Sequence, residues 1–85
     1  MALLAILATV FGTLMSFGYF TQTAKIIKHK SAKDVSLITY LIFGVGVTVW
    51  LIYGLSIIDF PIIISNVVAL IGALSVIIAY FSYKH

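Results

Sequence analysis

Three apolar runs, at about 2–23, 35–58 and 60–83, contain no Asp, Glu, Lys, Arg or His. Each reaches or exceeds the ~20 residues that an α-helix needs to cross ~30 Å of hydrocarbon at ~1.5 Å per residue. In lipid the backbone must satisfy its own hydrogen bonds within each segment, so the spans read as helices. The alternating pattern of a membrane barrel is absent. Hydrophobic residues make up 64% of the 85 positions and charged residues 8%. A soluble domain of that size cannot cover so much apolar surface. The sequence therefore predicts an all-α integral membrane protein: one three-helix transmembrane domain over residues 1–85. The first run lacks a basic region before it and outlasts a signal-peptide core, so it reads as a retained span. With no cysteine, disulfides and thiolate metal sites are excluded.

The charges outside the spans predict orientation. All five basic residues are lysines, and Lys25, Lys28, Lys30 and Lys33 lie within nine positions. In a soluble chain such a run suggests nucleic-acid binding. Between two membrane spans it reads as the positive-inside signal. The Lys25–Lys33 loop is then cytoplasmic, with Lys84 on the same side. The Ser56–Asp59 turn and the N-terminus lie outside, and the C-terminus lies inside the cell's inner (plasma) membrane. Ser31 and Asp34 match the [ST]-x-x-[DE] helix-start pattern, so Ser31 is expected to cap the second helix. Asp59 is expected to cap the third, with Pro61 in its first turn. Tyr19, Phe20, Tyr40, Tyr53, Phe60, Tyr80 and Tyr83 suit interfacial belts. Gly12 and Ser16, Gly44 and Gly46, and the Ser65/Ala69/Ala73 stripe suit close helix packing.

Few polar groups lie deep in the spans. Trp50 and Asn66 stand eight positions either side of Ile58, at the short outer turn. Both therefore lie ~12 Å below the outer surface, near the middle of the ~30 Å core. An indole face packs against the C–H face of a sugar ring, and an amide exchanges hydrogen bonds with hydroxyls. The plainer alternative is that Asn66 is interhelical glue, worth about 1 kcal/mol, and that Trp50 fills space. No ionisable group lies deep in a span, which argues against proton or ion coupling. No nucleophile–base pair, metal-ligand cluster or phosphate-cradling glycine loop occurs, so neither an enzyme nor a cofactor is expected. His29 and His85 stand beside lysines and read as solvated.

The residues resemble those of the SemiSWEET family, the bacterial half-size relatives of SWEET sugar transporters in the PQ-loop group. The resemblance rests on the run Tyr19-Phe20-Thr21-Gln22-Thr23-Ala24-Lys25, then Asp34-Val35-Ser36, Tyr40, Gly46-Val47, Trp50 and Tyr53-Gly54. It continues through Asp59-Phe60-Pro61 and Ser65-Asn66-Val67-Val68. It implies a parallel homodimer of 3+3 helices that carries a small sugar, mono- or disaccharide, by facilitated diffusion and alternating access. A solid three-helix bundle has no room for a solute path, and the shared lysine bias inserts every copy in one direction. A two-fold axis then repeats Trp50 and Asn66 across the interface. Parallel repeats about an axis along the membrane normal are a transporter plan of which SWEET carriers are themselves an instance. By resemblance, Trp50 and Asn66 contact the sugar, and Tyr53 and Asp59 form an outer gate.

The sequence departs from the family pattern at two places. Thr21 stands where the family has the proline of its PQ motif, before Gln22. By resemblance Thr21 and Gln22 mark the hinge of the first span, but Thr21 keeps the backbone donor that proline lacks, which puts hinge motion there in doubt. Its hydroxyl can instead bond back to a carbonyl. Ile57 stands where relatives often carry arginine, two residues before the gate Asp59, so a salt-bridged outer gate is not available in the same form. The expected partners are a sugar, a second copy of the chain and the lipid bilayer, not nucleic acid. Two rival readings stay open: a PQ-loop-type carrier of another small neutral solute, and a small membrane interaction protein without transport.

Overall fold

A computed structural model describes residues 2–83. Lys84 and His85, which the orientation argument used in part, lie outside the described residues. Three helices follow one another: α1 (Ala2–His29), α2 (Leu37–Ile57) and α3 (Phe60–Ser82). All three are long and apolar enough to cross a membrane. Helix α1 continues beyond the apolar span to His29, because helix formation needs no apolar side chains once the chain has left the hydrocarbon. Its last turn carries Lys28 and His29, which suit the negative end of the helix dipole.

The start of α2 differs from expectation. Ser36, not Ser31, is the N-cap, and its Oγ accepts from the Thr39 N–H at 3.3 Å. Ser31 instead holds the loop, accepting from the Lys33 N–H at 3.3 Å. Asp34 consequently lies in the connection rather than in the first turn of α2. Both serines can cap. What separates them is Ala32, which is 1% exposed and donates its N–H to the Tyr83 carbonyl at 3.0 Å. That anchor keeps the chain from turning helical until Leu37.

The α2–α3 turn follows the sequence closely. Asp59 caps α3, its Oδ1 accepting from the Ile62 N–H at 3.2 Å, and Pro61 occupies the first turn. Only Ile58 and Asp59 separate the helices. Ile58 sits in the left-handed region at φ 53°, its N–H donating to Leu55 O and that of Asp59 to Gly54 O. This is a Schellman turn with a β-branched residue where glycine is usual, so it is strained. Gly54 provides the close approach: a Cβ there would stand 2.6 Å from Ile62 Cγ2.

In space α3 lies between α1 and α2, packing against both. The pairs along α1 and α3 run at a nearly constant offset: Gly12 with Ser65, Tyr19 with Gly72, Thr23 with Ser75. The two helices are therefore parallel, whereas Gly54–Ile62 and Gly44–Ile77 make α2 antiparallel to α3. Small side chains let α1 and α3 approach, and two hydroxyl contacts bridge them. Ser16 Oγ donates to Ser65 O at 3.3 Å, and Thr23 Oγ1 and Ser75 Oγ lie 2.7 Å apart. The buried residues of α3, from Ala69 to Ala79, line this contact zone. The bundle measures 47 × 21 × 14 Å. Most of the large apolar side chains of all three helices face outward.

Candidate functional site

Because α3 separates α1 from α2 along much of their length, the outer two helices leave a cleft over it. The cleft has a volume of about 500 Å³. Its floor is Ser65, Asn66 and Ala69 of α3, and its walls are Ser16 and Tyr19 of α1 and Tyr40 and Phe43 of α2, among others. That volume lies within the range of small-molecule sites. Polar groups in it are few. Ser65 Oγ is engaged with Pro61 O at 2.7 Å, and Ser16 Oγ with Gly12 O at 2.9 Å.

Asn66 is the polar group that matters here. Its Nδ2 donates to Ile62 O, one turn back on its own helix, at 2.8 Å. The amide therefore does not tie two helices together within the chain. With Nδ2 engaged, Oδ1 is the atom left to accept a hydrogen bond from outside.

The lysine-loop end of the cleft is closed by three rings. Tyr19 on α1 meets Tyr40 and Phe43 on α2, each with centroids 6.1 Å apart, and Tyr40 meets Phe43 at 5.8 Å. All three contacts are edge-to-face, the favoured arrangement for aromatic pairs. These side chains join α1 to α2 where the backbones themselves stay apart. Sequence reasoning placed Tyr19 and Tyr40 in an interfacial belt and passed over Phe43. The spacing of Tyr40 and Phe43, three apart on one helix face, was the available signal. Their meeting with Tyr19 was not readable without knowing that α3 sits in the middle.

Trp50 and Asn66 do not share a cavity within one chain. Trp50 is 56% exposed, its ring edge-on to Tyr53 at 5.8 Å. Tyr53 is also half exposed. No hydrogen bond joins Tyr53 to Asp59 among the described residues, and Asp59 is engaged as the cap of α3. Thr21 Oγ1 donates to Phe17 O at 3.2 Å, the back-bonding expected of a threonine in that place, and α1 continues as helix through Thr21 and Gln22. Gln22 faces a second cavity, at the lysine loop.

Comparison with known proteins converges on one group. Residues 2–85 match the family described as "sugar efflux transporter for intercellular exchange". The sugar transporter SemiSWEET of Bradyrhizobium diazoefficiens is 37% identical over 71 residues, covering 84% of this chain and 83% of that one. The sugar transporter SemiSWEET of Leptospira biflexa is 35% identical over 57 residues, 67% of each chain. A crystal structure of a bacterial homologue of SWEET transporters matches with a TM-score of 0.90 at 32% identity, covering 96% of this chain and 99% of that one. On this evidence the chain is a multi-pass membrane protein of the SemiSWEET family of sugar transporters.

Proposed function

We propose that the chain carries small sugars down their gradient by alternating access of a parallel homodimer in the inner (plasma) membrane. The cleft carries this reading. It is a small-molecule-sized hollow at the depth of Asn66, open along one side of the three-helix bundle. Facing two such bundles across a two-fold axis turns two half-open clefts into one enclosed path. The same operation is what would bring the exposed Trp50 toward the Asn66 chamber. Asn66 Oδ1 accepts from a sugar hydroxyl and the indole packs on the ring. Tyr53 and Asp59 close the outer end, and the Tyr19/Tyr40/Phe43 cluster closes the lysine-loop end. That loop and the C-terminus face the cytoplasm and the N-terminus faces outside.

The absence of any ionisable group deep in the spans makes the carrier passive. Purified protein in proteoliposomes should exchange labelled glucose or sucrose at a rate that a protonophore leaves unchanged. Exchange no faster than in empty vesicles, or accumulation that collapses with the proton gradient, would refute the proposal.

The outer gate has its own test. Asparagine caps helices as well as aspartate does, so Asp59→Asn keeps the α3 cap and removes the charge. Its unfolding free energy should fall by no more than about 1 kcal/mol, since cap quality is preserved and only the charge–dipole attraction is lost. Sugar exchange should change several-fold if Asp59 also works in the gate. Unchanged exchange would leave Asp59 as a cap alone.

A further inference from the structure

At the opposite end from Asn66, the last turns of α1 and the α1–α2 connection surround a second cavity, of about 780 Å³. Gln22, Lys25 and His29 reach it from α1, and Ser31, Lys33 and Asp34 from the connection. The frame around it is held firmly. Ile26 and Ala32 are each 1% exposed. The Ser31 N–H donates to Ile26 O at 3.2 Å, that of Ala32 to Tyr83 O at 3.0 Å, and that of Val35 to Ala32 O at 3.0 Å. The connection is thus fastened both to α1 and to the end of α3, so the backbone that carries these side chains is in place before any ligand arrives.

A topology signal requires positive charge on one side of the membrane and nothing more. It does not require two ammonium groups, an imidazole, an amide and a hydroxyl gathered around one hollow. Lys28 and Lys30 supply the same charge and do not line it. One carboxylate, Asp34, opposes the two lysines, and none of Lys25, Lys33 and Asp34 forms an ion pair among the described residues. We propose that this cavity binds a phosphate-bearing anion. Lysine ammonium groups serve phosphate as point charges, with the Gln22 amide as a further donor. Two sources carry that chemistry. The cavity stands at the helix ends, where anionic lipid head groups lie, and it opens toward water, where inorganic phosphate or a phosphorylated sugar is available.

The test is thermal unfolding of the purified full chain in neutral detergent. Short-chain phosphatidylglycerol, short-chain phosphatidylcholine and inorganic phosphate are titrated separately, the phosphate against chloride of equal ionic strength. Phosphatidylglycerol, phosphate or both should raise the midpoint above its control. Lys25 and Lys33 line the cavity and would meet the anion directly as point charges, so K25Q/K33Q should weaken the apparent affinity roughly tenfold or more. K28Q/K30Q removes the same charge and should leave it within about twofold, while D34N should tighten it. A response to phosphatidylglycerol alone assigns the lipid head group; a response that includes phosphate assigns the free anion. The proposal is overturned if neither anion stabilises beyond its control, or if K28Q/K30Q weakens binding as much as K25Q/K33Q.

Discussion

Replacing Gly72 by alanine should destabilise the bundle and slow sugar exchange together. A Cβ at position 72 would lie 2.6 Å from Tyr19 Cβ, 3.1 Å from its Cγ and 3.2 Å from its Cδ2. Those atoms are the stem of the tyrosine, fixed by the α1 backbone, so they cannot swing aside as the tip of a long side chain would. Either α1 and α3 separate or Tyr19 rotates. Alanine gains about 1 kcal/mol over glycine in helix propensity. Forcing extra volume into a tight contact costs about 1–3 kcal/mol or more. Backbone contact of this closeness is what small residues provide between membrane helices, where no hydrophobic effect drives association. The clash should therefore win, leaving a net loss of about 1–2 kcal/mol in an unfolding titration. Because Tyr19 also closes the cleft against Tyr40 and Phe43, its displacement should reach the transport rate. Gly46→Ala is the control: among the described residues, nothing beyond its own helical turn lies within 4 Å of a Cβ there. A midpoint for Gly72→Ala as high as that of Gly46→Ala would show that the α1–α3 contact is looser than this.

Much of this architecture was readable in the sequence, and the limits are physical. Lipid forces spans to be long, apolar and helical, so three uncharged runs predicted three helices. The Asp59 cap and Pro61 were legible because capping depends on residues within one turn. Ser31 misled because a cap pattern cannot report a tertiary anchor; the burial of Ala32 against the end of α3 moved the start of α2 to Leu37. The order α1–α3–α2 was not legible either. It depends on which small residues meet which, and several stripes of small residues were available. That order decides the site: it puts Asn66 on the floor of a cleft and turns Trp50 outward. Depth along a helix can be counted from a turn, but direction around its axis cannot be fixed until its neighbours are known.

Asn66→Leu and Trp50→Ala should each reduce sugar exchange by roughly tenfold to a hundredfold while leaving the fold in place. Local bonding is what separates the two effects. An asparagine that linked two helices would lose stability when replaced. Here Nδ2 bonds Ile62 O on its own helix, and that carbonyl also stands at the regular acceptor position for the Asn66 N–H. Leucine has the same four side-chain heavy atoms branched at Cγ, somewhat bulkier than those of asparagine, and a better helix propensity. It therefore opens no interhelical gap and orphans no backbone group. The loss falls on Oδ1. A hydrogen bond withdrawn from a desolvated site costs about 1–3 kcal/mol, which at 1.4 kcal/mol per tenfold gives the stated range. For Trp50, 56% exposure means that truncation removes little buried contact inside one chain. Under the proposed function, losing the indole removes the apolar face offered to the sugar ring. Exchange in proteoliposomes and unfolding in detergent should be measured on the same preparations. Unchanged exchange in both variants would place the sugar elsewhere. A fall in stability that parallels the fall in exchange would restore the structural reading of Asn66, because glue and ligand contact differ in which of the two measurements moves.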